Sequence, residues 1–281
     1  MASPYQFCSS LDELEIGDKL RILIYGPPKI GKTFALLTWP RPLVLINTDP
    51  GGMNTLKGEN TKGIYVADLS TEDWVVSAKY IDFLVAAFNR SAAALKVQPY
   101  VPGFEDVLKV ADVKTIGLDS FTGMSRIAMA RAKLVGKRGG KSIPVGTMGE
   151  PDRSHYHLES VAAVTAVTEL VSLDNVHFVM TAHERVAMND DGDIPVAGNI
   201  FARGTATQEI PSMFDEFWHM EMHPSVKDGK RIDTRMFRTQ PDNVWNAGTR
   251  LHGLDQFEIA DFEAIVAKAK EYEMKRKEAM Q

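Results

Sequence analysis

Residues 26–33 form a segment whose residue types and spacing point to phosphate binding. They read GPPKIGKT, which fits the P-loop pattern G-x-x-x-x-G-K-[ST]. The glycines let backbone N–H groups turn toward phosphate oxygens, and the positive end of a helix that starts at Gly31–Lys32 faces the same anion. We expect Lys32 to neutralise the β- and γ-phosphates and the Thr33 hydroxyl to bind Mg²⁺. The predicted nucleotide-binding residues are Gly26, Pro27, Pro28, Lys29, Ile30, Gly31, Lys32, Thr33 and Phe34.

A second segment supplies the carboxylate that a P-loop metal site requires. Residues 113–121 read VKTIGLDSF, an apolar strand that ends in Asp119. A carboxylate at this place can hold Mg²⁺ through a bound water molecule. ATP and Mg²⁺ are therefore the predicted cofactors, with Thr33 and Asp119 as the predicted metal-binding residues.

Two further strand ends offer groups that could orient an attacking water molecule. Residues 42–52, PLVLINTDPGG, lead to Asp49, which we expect to lie beside the first strand and near the γ-phosphate as a general base. An Asp–Pro turn is the alternative interpretation. Residues 177–184, HFVMTAHE, place His183 where it could contact the γ-phosphate, and a histidine that only satisfies a strand end is its alternative. The predicted catalytic residues are Lys32, Asp49, Asp119 and His183.

The elements that must position these groups alternate between strands and helices. Strand-length apolar runs occur at 21–25, 43–47, 63–67, 115–118 and 177–181, and helical spacing occurs at 77–89 and 158–173. This alternation predicts an α/β fold with a mostly parallel sheet flanked by helices. Residues 216–223 and 234–246 favour antiparallel strands, and the apolar spacing from Gln256 to Tyr272 predicts a C-terminal amphipathic helix.

Composition and length limit the class of protein. The 281 residues are 44% hydrophobic, and 32 basic against 37 acidic side chains give a net charge of −5. No apolar run reaches the roughly 18 residues of a membrane helix and no signal peptide is recognisable, so we expect a cytoplasmic protein with no membrane contact. The single Cys8 excludes an intrachain disulfide. Stretches 96–106, 133–153 and 185–207 are predicted to be long loops, and such loops often carry function.

The order of the motifs resembles a RecA-type core. More narrowly, GPPKIGKT, TDPGG, LDS and TAHE resemble the small phage-encoded RecA-core ATPases of the Sak group, over residues 20–255. Ser120 stands where AAA+ ATPases carry a glutamate, which argues against that class. The resemblance implies a RecA-like P-loop ATPase of the host bacterial cytoplasm that acts on single-stranded DNA in recombination or annealing, and forms a ring or filament. Residues 1–19 are expected to contact a neighbouring subunit, and residues 256–281 to form a helix with a charged tail.

In the fold that this resemblance implies, two loops face DNA, one after the Asp119 strand and one after the His183 strand. Between Arg126 and His157, seven bases against two acids give 7 − 2 = +5, and the segment includes GKRGGK. Flexible glycine combined with positive charge suits contact with a phosphate backbone, although a solvated charge run is the alternative. The predicted DNA-binding residues are Lys133, Lys137, Arg138, Lys141, Arg153 and Arg203.

The resemblance also implies a basic residue that completes the site of the neighbouring subunit. Arg250 in the string NAGTR matches this position, and Arg238 on the preceding strand is the alternative. A single-strand-binding or annealing protein is a further candidate partner. Two other functions stay open, namely a nucleotide-gated module that binds such a partner, and a P-loop kinase of a small molecule with GKRGGK as its lid.

Overall fold

The computed structural model describes residues 19–88, 113–135, 137–138, 141–142, 151–173, 175–227 and 230–280. The strands in these residues are β1 (Arg21–Gly26), β2 (Leu43–Asn47), β3 (Ile64–Asp68), β4 (Thr115–Asp119), β5 (Lys137–Arg138), β6 (Lys141–Ser142), β7 (His177–Met188), β8 (Pro195–Ile200), β9 (Glu216–Lys227), β10 (Lys230–Arg238) and β11 (Phe257–Ile259). The α-helices are α1 (Lys32–Ala35), α2 (Trp74–Phe88), α3 (Phe121–Val135), α4 (Arg153–Val171), α5 (Ala206–Ser212) and α6 (Phe262–Met280).

Nine of the described strands form one mixed sheet. Eight follow the order β11-β10-β9-β1-β7-β4-β2-β3, and β8 pairs with the outer half of β7. The pairs from β9 to β3 are parallel, whereas β9–β10, β10–β11 and β7–β8 are antiparallel. The predicted α/β fold class, with its late antiparallel strands, is confirmed. The prediction that the Asp49 strand lies beside the first strand is wrong, because β2 pairs with β3 and β4, while β7 and β9 flank β1.

Strand β1 shows why the sheet is covered on both faces. Ile22, Leu23, Ile24 and Tyr25 have no exposed surface. Since successive strand side chains point to opposite faces, Leu23 and Tyr25 pack with α2, α3 and α4, while Ile22 and Ile24 pack with α1 and α6. A buried parallel strand therefore reads as a continuous apolar run, as RILIY does here.

The C-terminal helix begins later than its apolar spacing predicts. Residues 257–259 form β11 and pair with β10, so Ile259 belongs to the sheet and is exposed rather than buried on a helix face. Helix α6 starts at Phe262, whose ring stacks on Trp39 at 4.0 Å. The extension of the sheet edge and this aromatic contact fix the start of the helix.

The predicted long loops differ from the structure. Residues 185–207 are mostly regular, because β7 continues to Met188, β8 returns along it, and α5 follows at Ala206. Within 133–153, α3 extends to Val135 and the two short strands β5 and β6 pair with each other. The stretches 1–18, 96–106 and 143–150 lie outside the described residues. None of the helices that the structure describes is long and apolar enough to cross a membrane.

Candidate nucleotide-binding site

The P-loop leaves the end of β1 and turns directly into α1. Gly31 has φ 109°, a left-handed conformation that glycine adopts without strain. A side chain at Gly26 is excluded by close packing, since a Cβ there would lie 2.6 Å from the carbonyl oxygen of Met220. Lys32 Nζ donates to the carbonyl oxygens of Gly26 at 2.9 Å and Pro27 at 2.8 Å. The Lys32 ammonium is held inside the loop, where it is poorly hydrated, and this burial lowers its pKa to about 8.

Asp119 lies across the cavity from Lys32 at the end of β4. Thr33 Oγ1 donates to Asp119 Oδ2 at 2.6 Å, and the Thr181 hydroxyl donates to Oδ1. Burial raises the pKa of Asp119, while these two hydroxyl groups act in the opposite direction. A hydroxyl and a carboxylate side by side are hard oxygen ligands of the kind that Mg²⁺ binds together with phosphates. The donor set at Thr33 and Asp119 therefore fits the predicted metal.

Asp49 follows β2 and reaches the same cavity from the far side of β4. Ser120 Oγ donates to Asp49 Oδ2 at 2.7 Å, and His183 Nε2 lies 3.8 Å from that oxygen. The approach of α3 to this turn requires Gly123, because a Cβ there would lie 2.5 Å from the carbonyl oxygen of Thr48. Burial and the charge of Lys32 lower the pKa of His183, which favours its neutral form.

These groups line one cavity of about 440 Å³. Its lining comprises Lys29, Gly31, Lys32, Thr33, Phe34, Asp49, Thr55, Glu59, Asp119, Ser120, His183 and Arg235. All four predicted catalytic residues and five of the predicted nucleotide-binding residues are thus brought together. Gly26, Pro27, Pro28 and Ile30 complete the loop behind them. The cavity holds both a set of cations and a set of carboxylates, as the binding of a nucleotide with a metal requires.

Arg235 is a cavity residue that the sequence analysis missed. It lies on β10, donates from Nε to the Ile30 carbonyl oxygen at 2.9 Å, and places its guanidinium 5.2 Å from the centre of the Phe34 ring. No local motif marks it, because it reaches the P-loop only through the pairing of β10 with β9 and of β9 with β1. Ser120 and Thr181, the hydrogen-bond partners of Asp49 and Asp119, are also absent from the predicted site residues, although both belong to the predicted motif segments.

The two predicted inter-subunit bases differ in their surroundings. Arg238 is buried, donates from Nε to Glu221 at 2.9 Å and lies 2.7 Å from Asp242, so its charge is used inside this subunit. Arg250 is exposed and pairs with Asp215 at 2.7 Å. Of the two, only Arg250 presents its guanidinium outward.

The predicted DNA-binding residues gather only in part. Lys133 and Arg203 line a second cavity of about 410 Å³ beside α3, which we call the α3 groove. Arg153 is exposed at the first position of α4. Lys137, Arg138 and Lys141 belong to β5 and β6, but their side chains lie outside the described part of the structure. The α3 groove is lined by Thr122, Ser125, Arg126, Met129, Ala130, Lys133, Phe201 and Arg203.

Arg203 has two partners beside this groove. Its guanidinium lies 5.1 Å from the centre of the Tyr156 ring, and NH1 lies 3.8 Å from Oε2 of the buried Glu159. Ser125 donates a hydrogen bond to the other oxygen of Glu159. Lys133 and Arg126 also line the groove, and they lie on one face of α3 because they are seven residues apart.

Comparisons with solved structures find a RadB recombinase (14% identity, TM-score 0.37, covering 80% of this chain and 84% of that chain). They also find a KaiC-like protein from Pyrococcus horikoshii (11%, TM-score 0.37, 78% of each chain) and the flagellar accessory protein FlaH from Methanocaldococcus jannaschii (9%, TM-score 0.33, 78% and 77%). A comparison with curated proteins gives no match. Residues 18–251 match a family described as an AAA domain. With most of its length matched, the chain belongs to the AAA_24 family of AAA domains.

Proposed function

We propose that this protein is a Mg²⁺-dependent ATPase of RecA type that acts on single-stranded DNA in phage recombination or replication, as the resemblance to the Sak group implies. The observation that carries the ATPase part is the convergence of the P-loop, Asp119, Asp49 and His183 on one cavity. The ends of β1, β2 and β4 supply the first three of these groups and the middle of β7 supplies His183. Their chemistry matches what phosphoryl transfer to water requires.

Each residue of the cavity has a distinct task in this reaction. Lys32 and the loop N–H groups bind the β- and γ-phosphates. Thr33 and Asp119 hold Mg²⁺, which when bound neutralises charge on the phosphate oxygens. Asp49, fixed through Oδ2 by Ser120, orients the attacking water molecule and accepts its proton. His183, whose pKa is lowered by burial and by the charge of Lys32, contacts the γ-phosphate or the water molecule.

The α3 groove supports single-stranded DNA as the partner. It combines Arg126, Lys133 and Arg203 with the half-exposed ring of Phe201, which suits a phosphate backbone and a stacked base. The protein as a whole is acidic, so binding must depend on this local charge. We further propose assembly into a ring or filament, in which Arg250 faces the nucleotide site of the neighbouring subunit.

The test is steady-state ATP hydrolysis with and without single-stranded DNA, across a Mg²⁺ titration. We expect hydrolysis to require Mg²⁺, to rise with DNA, and to fall at least about a hundredfold in Lys32→Ala, since an essential charge is removed. Lys57→Ala is the matched control, because Lys57 is exposed and does not line the cavity. Unchanged hydrolysis in Lys32→Ala would contradict the ATPase site. Hydrolysis that is indifferent to DNA would contradict the DNA part, and would direct the search to a protein partner or a phosphate acceptor.

A further inference from the structure

Helix α3 physically joins the nucleotide cavity to the α3 groove. It begins directly after Asp119 and Ser120, and its first turn packs against the Asp49 turn at Gly123. One turn further on, Arg126 lines the groove, and its NH1 atom lies 3.5 Å from Asp49 Oδ1. The Arg126 side chain is 66% exposed. A single guanidinium therefore lies beside Asp49 and also lines the groove.

The two oxygens of Asp49 are in different situations. Oδ2 accepts the hydrogen bond of Ser120 and faces His183. Within the described residues, Oδ1 is buried and accepts no hydrogen bond, and the guanidinium of Arg126 lies 3.5 Å from it. A carboxylate oxygen without a hydrogen bond has an unused acceptor position, and a guanidinium beside it limits the directions in which the carboxylate can turn.

We propose that Arg126 is a positioning residue that transmits the occupation of the α3 groove to Asp49, an inference that rests on the proposed function. Without nucleic acid, Arg126 stays near Asp49 Oδ1 and restrains it. A phosphate in the groove attracts the guanidinium away, because an arginine forms two parallel hydrogen bonds with a phosphate. Asp49 Oδ1 then becomes free to orient the water molecule, and hydrolysis rises.

The charges around Arg126 favour such an exchange. On the cavity side it faces Asp49 and His183, and on the groove side Lys133 and Arg203 add positive charge that attracts a polyanion. The buried Glu159 compensates Arg203 alone among these bases. The long distance and high exposure of the Arg126–Asp49 pair make it weak, so one phosphate can replace Asp49 as partner.

The test compares Arg126→Gln with Arg131→Gln, measuring kcat and KM for ATP with and without single-stranded DNA. Arg131 lies on the same helix but lines neither site, so it is the matched control. We expect Arg126→Gln to hydrolyse ATP roughly two- to fivefold faster than the wild type without DNA, the range that an exposed ion pair accounts for. KM for ATP should stay the same, and DNA should no longer stimulate. Arg126→Lys should retain most of the stimulation, which a purely structural role of the arginine would not predict.

The outcomes distinguish the proposed role of Arg126 from the proposed function on which it rests. A wild-type protein that single-stranded DNA neither binds nor stimulates would overturn the proposed function. If DNA stimulates the wild type and Arg126→Gln by the same factor, the role of Arg126 is refuted while the function stands. A loss of basal hydrolysis in Arg126→Gln would also refute it, because the arginine would then act in the reaction itself.

Discussion

The nucleotide cavity and the α3 groove hold their charged groups in opposite ways. In the cavity, Lys32 and Asp119 are 6% and 4% exposed, and each makes two hydrogen bonds within the protein. In the groove, the side chains of Arg126 and Arg203 are 66% and 40% exposed, and their ion pairs are 3.5 and 3.8 Å long. The first region is organised before a ligand arrives, whereas the second can adjust to a flexible polyanion.

The difference follows from the elements that build each region. In the cavity, Lys32, Asp49 and Asp119 lie at or just after the carboxyl ends of parallel strands, whose positions are fixed by a buried sheet. Groove residues come from one helix face and from the segment after β8, so their long side chains extend over the surface. We therefore expect substitutions in the cavity to act through geometry and to have large effects. Substitutions in the groove should act through charge and have small effects.

The largest effect is expected from Asp49→Asn. The amide still accepts the hydrogen bond of Ser120 but cannot accept a proton, so kcat should fall by roughly 10² to 10⁴-fold, with little change in the affinity for ATP. Single-turnover hydrolysis and equilibrium ATP binding would measure the two quantities separately.

Asp68→Asn is the matched control for this prediction. Asp68 also ends a strand, β3, but it accepts hydrogen bonds from Asn47 and Ser70 and does not line the cavity. Its replacement should leave kcat within a factor of two. A similar loss in both variants, or only a few-fold loss in Asp49→Asn, would contradict the role of Asp49 as base.

An intermediate effect is expected from Arg235→Gln at the rim of the cavity. The guanidinium anchored on the Ile30 carbonyl adds positive charge beside the P-loop, so its loss should raise KM for ATP roughly fivefold, as for one hydrogen bond at an accessible site. Arg231→Gln on the same strand is the control, since Arg231 is exposed and pairs with Asp233. Equal KM values in the two variants would show that Arg235 is not a nucleotide contact.

Much of the cavity can be predicted from the sequence because its residues lie at fixed offsets from apolar strands. The runs that lead to Gly26 and Asp119 are strands that end there, whereas His183 lies within β7, which continues to Met188. His183 still reaches the same cavity because it pairs with Gly26 at the end of β1. Asp49 reaches the cavity although the neighbour predicted for its strand was wrong, because any parallel strand of this sheet ends at the same edge. The position of such a residue thus depends on the direction of its strand more than on its order.

Other features could not be predicted because they arise from pairing between distant segments. Arg235 meets the P-loop only through the β9–β10 register, and the contact of Gly123 with Thr48 depends on the packing of α3. The sequence predicts a loop at 185–207 because NDDGD at 189–193 interrupts the apolar pattern, whereas in the structure this segment is only the turn of the β7–β8 hairpin. The polar residues at 189–193 correctly indicate a turn, but they do not show that strands β7 and β8 lie on either side of it.

The smallest effect is expected from Lys133→Gln in the groove, and it tests most directly whether charge alone acts there. Removing one phosphate contact should weaken binding of single-stranded DNA a few-fold and reduce the slope of log Kobs against log salt by about 1. Lys79→Gln on the exposed face of α2 is the control and should change neither value.

Lys133→Arg should restore the slope, because a groove base needs only its charge. In contrast, Asp49→Glu should not restore hydrolysis, since a shift of about 1 Å in a catalytic group costs roughly a hundredfold in rate. If Asp49→Glu hydrolysed ATP at the wild-type rate while Lys133→Arg failed to restore the salt slope, the distinction between a rigid cavity and an adaptable groove would be wrong.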